Sequence, residues 1–192
     1  MIAALILAAG GSSRMGRPKQ LLPFRGRPLL RRAIDAAVEG GCRPVMVVTG
    51  AHARLIEAEL GALPVELCFN EDWREGLAGS IRRGMEALRS RPEEPGAVLM
   101  MTCDQPLVSA ELVGRLREAF DGARGRMVAC DYGGTVGVPA LFDRSCFDRL
   151  MALEGDGGAK SVLLADPGML RRCPWPEGAR DINTPADYGK FE

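Results

Sequence analysis

The sequence predicts an α/β fold in which a mostly parallel sheet carries helices on both faces. Three observations lead there: short apolar runs recur along the 192 residues, longer segments of helical period separate them, and small turn residues mark the junctions. The apolar runs are Ile2 to Ala8, Pro44 to Thr49, Val65 to Phe69, Ala97 to Thr102 and Met127 to Cys130, with Val138 to Phe142 as a further strand. Such continuous runs suit strands covered on both sides.

Leu30, Ala33, Ile34, Ala37 and Val38 stripe one amphipathic helix between these runs, and Leu77, Ile81, Met85 and Leu88 stripe a second. Leu112, Leu116, Ala119 and Phe120 stripe a third, and Phe147, Leu150 and Met151 mark a later one. Thr184 before Pro185 reads as an N-cap and first helical residue. No internal repeat or low-complexity tract is present, and Arg89 to Gly96 reads as a helix-to-strand connection, so residues 1–192 are expected to form one domain.

The 25 basic and 25 acidic side chains cancel, which disfavours the long basic face used to bind nucleic acid and favours a small-molecule partner. The run from Ile2 to Ala9 is too short to span a membrane and lacks the flanks of a signal peptide, so no membrane partner is expected. Six cysteines include no C-x-x-C pair; Cys42, Cys68, Cys103, Cys130 and Cys173 lie in or beside apolar runs and read as buried thiols of a cytoplasmic protein. His52 is the only histidine, so no histidine-rich zinc site can form, and it reads as a solvated helix-start residue.

The first strand runs into Ala8-Ala9-Gly10-Gly11-Ser12-Ser13-Arg14-Met15-Gly16-Arg17-Pro18-Lys19. Small residues let backbone N–H groups approach phosphate oxygens, Arg14 can fork two such oxygens, and Lys19 adds a mobile point charge. A Gly-rich turn with solvated basic residues is the alternative. Position favours phosphate, because the loop leaves a carboxyl strand end, where open α/β sheets bind ligands. The spacing is neither G-x-x-x-x-G-K-S/T nor G-x-G-x-x-G, which sets aside the ordinary P-loop and dinucleotide fingerprints. Met15 reads as a packing residue or as part of a base pocket.

From Leu7 to Lys19 the chain reads L-A-A-G-x-S-S-R-M-G-x-x-K, which resembles the signature of the molybdenum cofactor nucleotidyltransferases, a MobA-like NTP transferase family. The resemblance implies a three-layer α/β/α, Rossmann-like nucleotidyltransferase fold, and a nucleotide held by Leu7, Ala8, Ala9, Gly10, Gly11, Ser12, Ser13, Arg14 and Lys19. Ala9 before Gly10 and the Ser12-Ser13 pair resemble the cytidylyl-transferring branch, which implies CTP. It also implies molybdopterin as acceptor and a molybdenum hydroxylase, or its chaperone, as a transient partner.

Asp104, in Met101-Thr102-Cys103-Asp104-Gln105-Pro106, stands at a carboxyl strand end; it is a candidate metal ligand, or simply a cap. Nucleotidyl transfer needs a divalent cation to shield the triphosphate, and hard oxygen ligands suit Mg2+. The D-Q-P sequence resembles the family's magnesium-side segment, which implies a catalytic role for Asp104 with Arg14 and Lys19. Asp181, in Arg180-Asp181-Ile182-Asn183-Thr184-Pro185, resembles the family's second carboxylate in D-I-D-T-P, with Asn183 where that pattern has its second Asp; it can also be read as a helix-flanking carboxylate.

Asn70-Glu71-Asp72-Trp73 and Glu75-Gly76-Leu77-Ala78-Gly79-Ser80 resemble the segment lying against the nucleoside, which implies base or ribose contacts for Asn70, Gly76 and Ser80. Asn70 reads equally as a turn residue, and Ser80 as a helix N-cap; Gly79 would permit close approach there. Gly137-Val138-Pro139 resembles the family's acceptor-side G-H-P strand with Val138 in place of histidine. Gly155-Asp156-Gly157-Gly158-Ala159-Lys160 resembles a turn that meets the acceptor phosphate, or is a helix start. The implied reaction is CMP transfer from CTP to molybdopterin with loss of pyrophosphate. Guanylyl transfer, another phosphorylated acceptor, and a non-catalytic carrier are the alternatives.

Overall fold

A computed structural model describes residues 1–124 and 126–191. In chain order the elements are β1 (Ile2–Leu7), β2 (Pro23–Phe24), β3 (Arg27–Pro28), α1 (Leu29–Glu39), β4 (Val45–Thr49), α2 (Ala53–Leu60), β5 (Glu66–Phe69) and α3 (Leu77–Arg89). They continue with β6 (Ala97–Thr102), α4 (Ala110–Ala119), β7 (Met127–Asp131), β8 (Val136–Asp143), α5 (Phe147–Met151), α6 (Lys160–Ala165), β9 (Leu170–Pro174) and α7 (Pro185–Gly189). Seven strands form one sheet in the order β5-β4-β1-β6-β8-β7-β9. All pairings are parallel except those of β8, which runs against both its neighbours.

Side chains alternate across the sheet, and β1 shows how that alternation builds three layers. Ala4, Ile6 and Ala8 pack on one face with Ile34 of α1, Ile56 of α2 and Leu116 of α4. Ala3, Leu5 and Leu7 pack on the other with Ile81 and Met85 of α3, Phe147 of α5 and Leu163 of α6. The mostly parallel α/β prediction therefore holds. Among the described residues no helix is long and apolar enough to cross a membrane.

Strand boundaries move by a residue or two: Ala8, Pro44 and Val65 lie outside their strands, β7 reaches Asp131, and β8 starts at Val136. Three elements escape the sequence reading. The β2–β3 hairpin turns on Arg25 and Gly26, both at positive φ (50° and 79°); paired positive φ is the two-residue turn that Asn-Gly usually signals, and Arg conceals it. α2 buries only Ile56 and Leu60, and β9 exposes Arg171 and Arg172 at the sheet edge, so neither shows a full apolar stripe. Thr184 and Pro185 do cap α7, with the Asp187 side chain completing a reciprocal capping box.

β1 is flanked by β4 on one side and β6 on the other, so successive connections leave it in opposite directions. This reversal opens a crevice at the carboxyl strand ends. Leu7 is registered beside Thr102, which brings the loop after β1 and the loop after β6 out next to each other. α3 covers that end closely: a Cβ on Gly84 would lie 2.4 Å from Leu5 Cδ1 and 2.8 Å from Val48 Cγ2. Gly84→Val is expected to destabilise the fold by about 2 kcal/mol through overpacking, read as a lower urea midpoint at unchanged m. A midpoint equal to wild type would show that α3 does not sit as tightly as described.

Candidate active site

The loop after β1 is shaped by its own hydrogen bonds. Ser12 takes a left-handed conformation (φ 53°), and its carbonyl accepts from Met15 N and Gly16 N at 2.9 and 3.2 Å, folding the chain back. Its hydroxyl accepts from Lys19 N at 3.1 Å and lies 3.3 Å from Gln20 Oε1. Gln20 is only 1% exposed, and its Nε2 donates to the carbonyls of Ala8 (2.9 Å) and Gly10 (2.8 Å). Those carbonyls are thereby occupied from behind, and the Gly10 and Gly11 N–H groups have no acceptor among the described residues. Unpartnered N–H groups in a small-residue loop suit an anion.

Lys19 and Asp104 meet across this loop, Nζ to Oδ2 at 2.6 Å, with side chains 19% and 16% exposed. Lys19 Nζ also donates to Asn183 Oδ1 at 3.1 Å, and the same oxygen accepts from Arg14 at 3.4 Å. Asn183 thus gathers two of the loop's three cations without adding charge. The C-terminal segment is tied in through Ile182 N, which donates to the Asp104 carbonyl at 2.9 Å. Asp181 faces the open cleft, yet the surrounding protein limits its hydration; desolvation first, then Asp104, raise its carboxyl to about 6, with Gln105 and Lys19 opposing.

The two carboxylates are therefore close enough to feel each other. Among the described residues no group of three or more His, Cys, Asp and Glu side chains could hold a metal ion by itself. A two-carboxylate set fits a hard divalent cation that draws its remaining ligands from phosphate and water. Cys103, adjacent to Asp104, is held near 12 by burial first and by that carboxylate second, so it stays a thiol at neutral pH. All six cysteines are buried and none is in a disulfide.

A cleft of about 580 Å³ opens above Leu7, Ala8, Ala9, Gly10, Gly11 and Lys19, with Asp104 on its far side. Trp73, Arg74, Gly76, Leu77 and Ser80 form the facing wall. A second cavity of about 250 Å³ shares Leu7, Leu77, Thr102 and Asp104 with the first and continues past Asp181, Val138 and Lys160. Two binding volumes therefore join at the carboxylates. Gly76, at φ 107°, starts α3 directly under a neighbouring turn: a Cβ there would sit 2.4 Å from the Gly155 carbonyl oxygen, which accepts from Ala78 N at 3.1 Å.

Several expected residues stand elsewhere. Arg14 and Ser13 are exposed outside the cleft wall, and Ser12 supports Lys19 and Gln20 rather than lining the cavity. Asn70 is buried behind the wall; its Nδ2 donates to Ser80 Oγ at 3.1 Å and its Oδ1 accepts from Asp72 N, so the turn reading is the one realised. Ser80 lies inside α3 and is not its N-cap, which is Gly76. Gly79 meets nothing closer than 3.8 Å, and the close approach belongs to Gly76. Met15 packs with Leu22, Phe24, Leu29 and Ile182, and His52 reaches back, Nε2 3.2 Å from the Gly11 carbonyl. Lys160 begins α6 and contacts Thr135 Oγ1 at 2.5 Å.

Sequence reading overlooked Gln20, Trp73, Arg74, Gln105 and Tyr132. Gln105 Nε2 donates to Tyr132 Oη at 3.0 Å and to the Gly178 carbonyl at 3.2 Å, and Tyr132 donates onward to the Val138 carbonyl. That chain links the loop carrying Asp104 to the wall carrying Val138. Trp73 lies against Gly11, with the Arg74 guanidinium 4.4 Å from its ring centroid. The D-Q-P motif flagged Gln105 by position only; Gln20 has no periodic or spacing signal.

Comparison with known proteins fits this geometry. The MobA-like NTP transferase domain matches residues 4–169. Nicotine blue oxidoreductase of Paenarthrobacter nicotinovorans is 30% identical over 194 residues, 95% of this chain and 92% of that protein. Rv0371c from Mycobacterium tuberculosis H37Rv superimposes with a TM-score of 0.84 at 29% identity, over 99% of this chain and 96% of that one, and is also known in complex with manganese. A nucleotidyl transferase from Methanothermobacter thermautotroptrophicus superimposes with a TM-score of 0.84 at 26% identity, over 100% of this chain and 95% of the other. With its fold, its strand-end cleft and a family match along most of its length, this chain belongs to the MobA-like NTP transferase family as a nucleotidyltransferase.

Proposed function

We propose that this chain transfers CMP from CTP to the phosphate of molybdopterin, forming molybdopterin cytosine dinucleotide and releasing pyrophosphate. The observation that carries the reading is the Lys19–Asp104 contact at 2.6 Å beside a loop whose Gly10 and Gly11 N–H groups find no acceptor among the described residues. Cation, carboxylate and anion donors converge where a triphosphate and its counter-ion belong. Buried cysteines outside any disulfide support a reducing, cytoplasmic setting. Hand-over of the product to a molybdenum hydroxylase or its chaperone completes the proposal.

In this scheme Leu7, Ala8 and Ala9 floor the nucleotide cleft, Gly10, Gly11 and Lys19 receive the triphosphate, Ser12 shapes the loop that holds it, and Ser13 and Arg14 meet its outer end. Gly76 and Ser80 shape the nucleoside wall, and Asn70 positions Ser80 from behind. The acceptor phosphate oxygen forms a bond to the α-phosphorus as the α–β bridging bond breaks, and pyrophosphate leaves with that electron pair. Lys19 and Arg14 neutralise the departing charge; no protein nucleophile is needed. Catalysis rests on positioning and charge stabilisation.

Asp104 and Asp181 would hold a divalent cation, and the manganese complex of Rv0371c supports such a site in a relative. We assign Mg2+, which favours one or two carboxylates with phosphate oxygens and water, and which when bound shields the triphosphate and stabilises charge at the α-phosphorus. Val138 on the acceptor wall favours a second reading, in which another phosphorylated acceptor takes the nucleotide.

Pyrophosphate release by the purified chain, compared for CTP, GTP and ATP with molybdopterin and Mg2+, tests the reading. Release with CTP above the others is expected, and tight molybdopterin binding without release from any nucleotide would replace transfer by a carrier role. Asp104→Ala and Lys19→Ala should each lower kcat by about 10²-fold or more; turnover within a few-fold of wild type would remove them from the chemistry.

Asp181 yields a stability prediction of definite sign. A carboxyl raised to about 6 disfavours the folded state above that pH, and the penalty fades as pH falls towards the ordinary carboxylate range. Without divalent cation, Asp181→Asn should melt above wild type near pH ~7.5, with the gain vanishing towards pH ~4, while cation-dependent turnover falls. A lower melting temperature at the higher pH would contradict this account of Asp181.

A further inference from the structure

A cavity of about 240 Å³ lies between the β2–β3 hairpin, α1 and the start of α4, and shares no lining residue with the nucleotide cleft or the cavity beside it. Arg25, Arg27 and Arg32 line it. Arg27 is paired with Asp35 at 2.6 Å, which Arg31 also contacts at 2.8 Å, and Asp35 and Glu39 are the carboxylates that line the cavity with the arginines. The Arg25 guanidinium has no hydrogen bond or ion pair among the described residues, and Arg32 has only the Pro106 carbonyl, 3.3 Å from its Nε. In a chain of zero net charge, two guanidiniums are thus left facing one cavity without a carboxylate of their own.

They are also held in place. Arg25 and Arg32 both lie over the Phe24 ring, at 5.2 and 5.1 Å from its centroid, and Phe24 is buried. Burial first, then Arg25 and Arg27, lower the Arg32 pKa from its usual value, with Asp35 opposing. The guanidiniums are therefore close enough to repel one another. Across the cavity, Ser109 caps α4 by accepting from Leu112 N at 3.2 Å, which leaves the N–H groups of Ala110 and Glu111 without acceptors among the described residues. Forked cations on one side and free helix-start amides on the other both suit a phosphate.

We propose that Arg25, Arg27 and Arg32, with the first turn of α4, form a second anion site that takes the phosphate group of a small molecule, separate from the nucleotide cleft. Through Arg32 and the Pro106 carbonyl, its occupant would brace the segment that follows Asp104 and Gln105.

The test is titration calorimetry with inorganic phosphate at constant ionic strength, with chloride as the balancing anion and neither nucleotide nor acceptor present. Lys19→Ala is the starting chain, so that cleft binding is suppressed. One phosphate is expected to bind, about tenfold or more weakly after Arg25→Ser, an exposed position, since losing one charge-assisted contact costs upwards of ~1.4 kcal/mol. Adding Arg32→Gln, which keeps a donor for Pro106, should abolish binding. Failure of the Lys19→Ala chain to bind phosphate, or binding indifferent to Arg25→Ser, would overturn the proposal. Either result leaves the transferase reading untouched.

Discussion

Parallel pairing of β1 with β6, Leu7 beside Thr102, is the constraint on which the rest of the site depends. It brings together two loops far apart in the chain, so that Lys19 and Asp104, 85 positions apart, form a contact of 2.6 Å. Neither side chain is fully removed from water, so their mutual attraction contributes modestly to stability. Its value is geometric: a mobile ammonium and a carboxylate are each held at a fixed edge of one cleft.

Around that contact the charges are unevenly satisfied. Asn183 collects Lys19 and Arg14 through one neutral oxygen, while Asp181, poorly hydrated first and crowded by Asp104 second, becomes harder to ionise. Carboxylates crowded together and cations leaning on neutral amides describe a cleft organised for groups it binds, at some expense to the fold. Gln20, by contrast, is fully engaged inside the protein and stabilises the loop that does the binding.

The buried strands β1, β4 and β6 were legible because both their faces demand apolar side chains, and α1, α3 and α4 because one stripe does. β9 was not, since its arginines sit exposed at an edge, Arg171 on the Ala119 carbonyl and Arg172 on Asp131, and the β2–β3 turn hides its positive φ behind Arg25. In the site, the small-residue loop and Asp104 announced themselves by lying after apolar runs. Gln20, Trp73 and Tyr132 did not: their roles arise from packing and backbone contacts that no spacing rule encodes. Asn70 and Ser80 were singled out together, and the structure joins them by a hydrogen bond while keeping only Ser80 on the wall.

The reversed strand β8 carries a consequence for how this protein can diversify. Antiparallel to β6, with Met100 opposite Ala140, it enters the sheet at the reactive end, where Val136 and Gly137 pair with β7 and the register then shifts across Val138 and Pro139. Most open α/β enzymes recruit new partners by lengthening loops at that end. Here Val136 and Gly137 are pinned by strand pairing, so on the proposed function a change of acceptor comes most economically one side chain at a time, with Val138, on the cavity wall at the register shift, the place to make it.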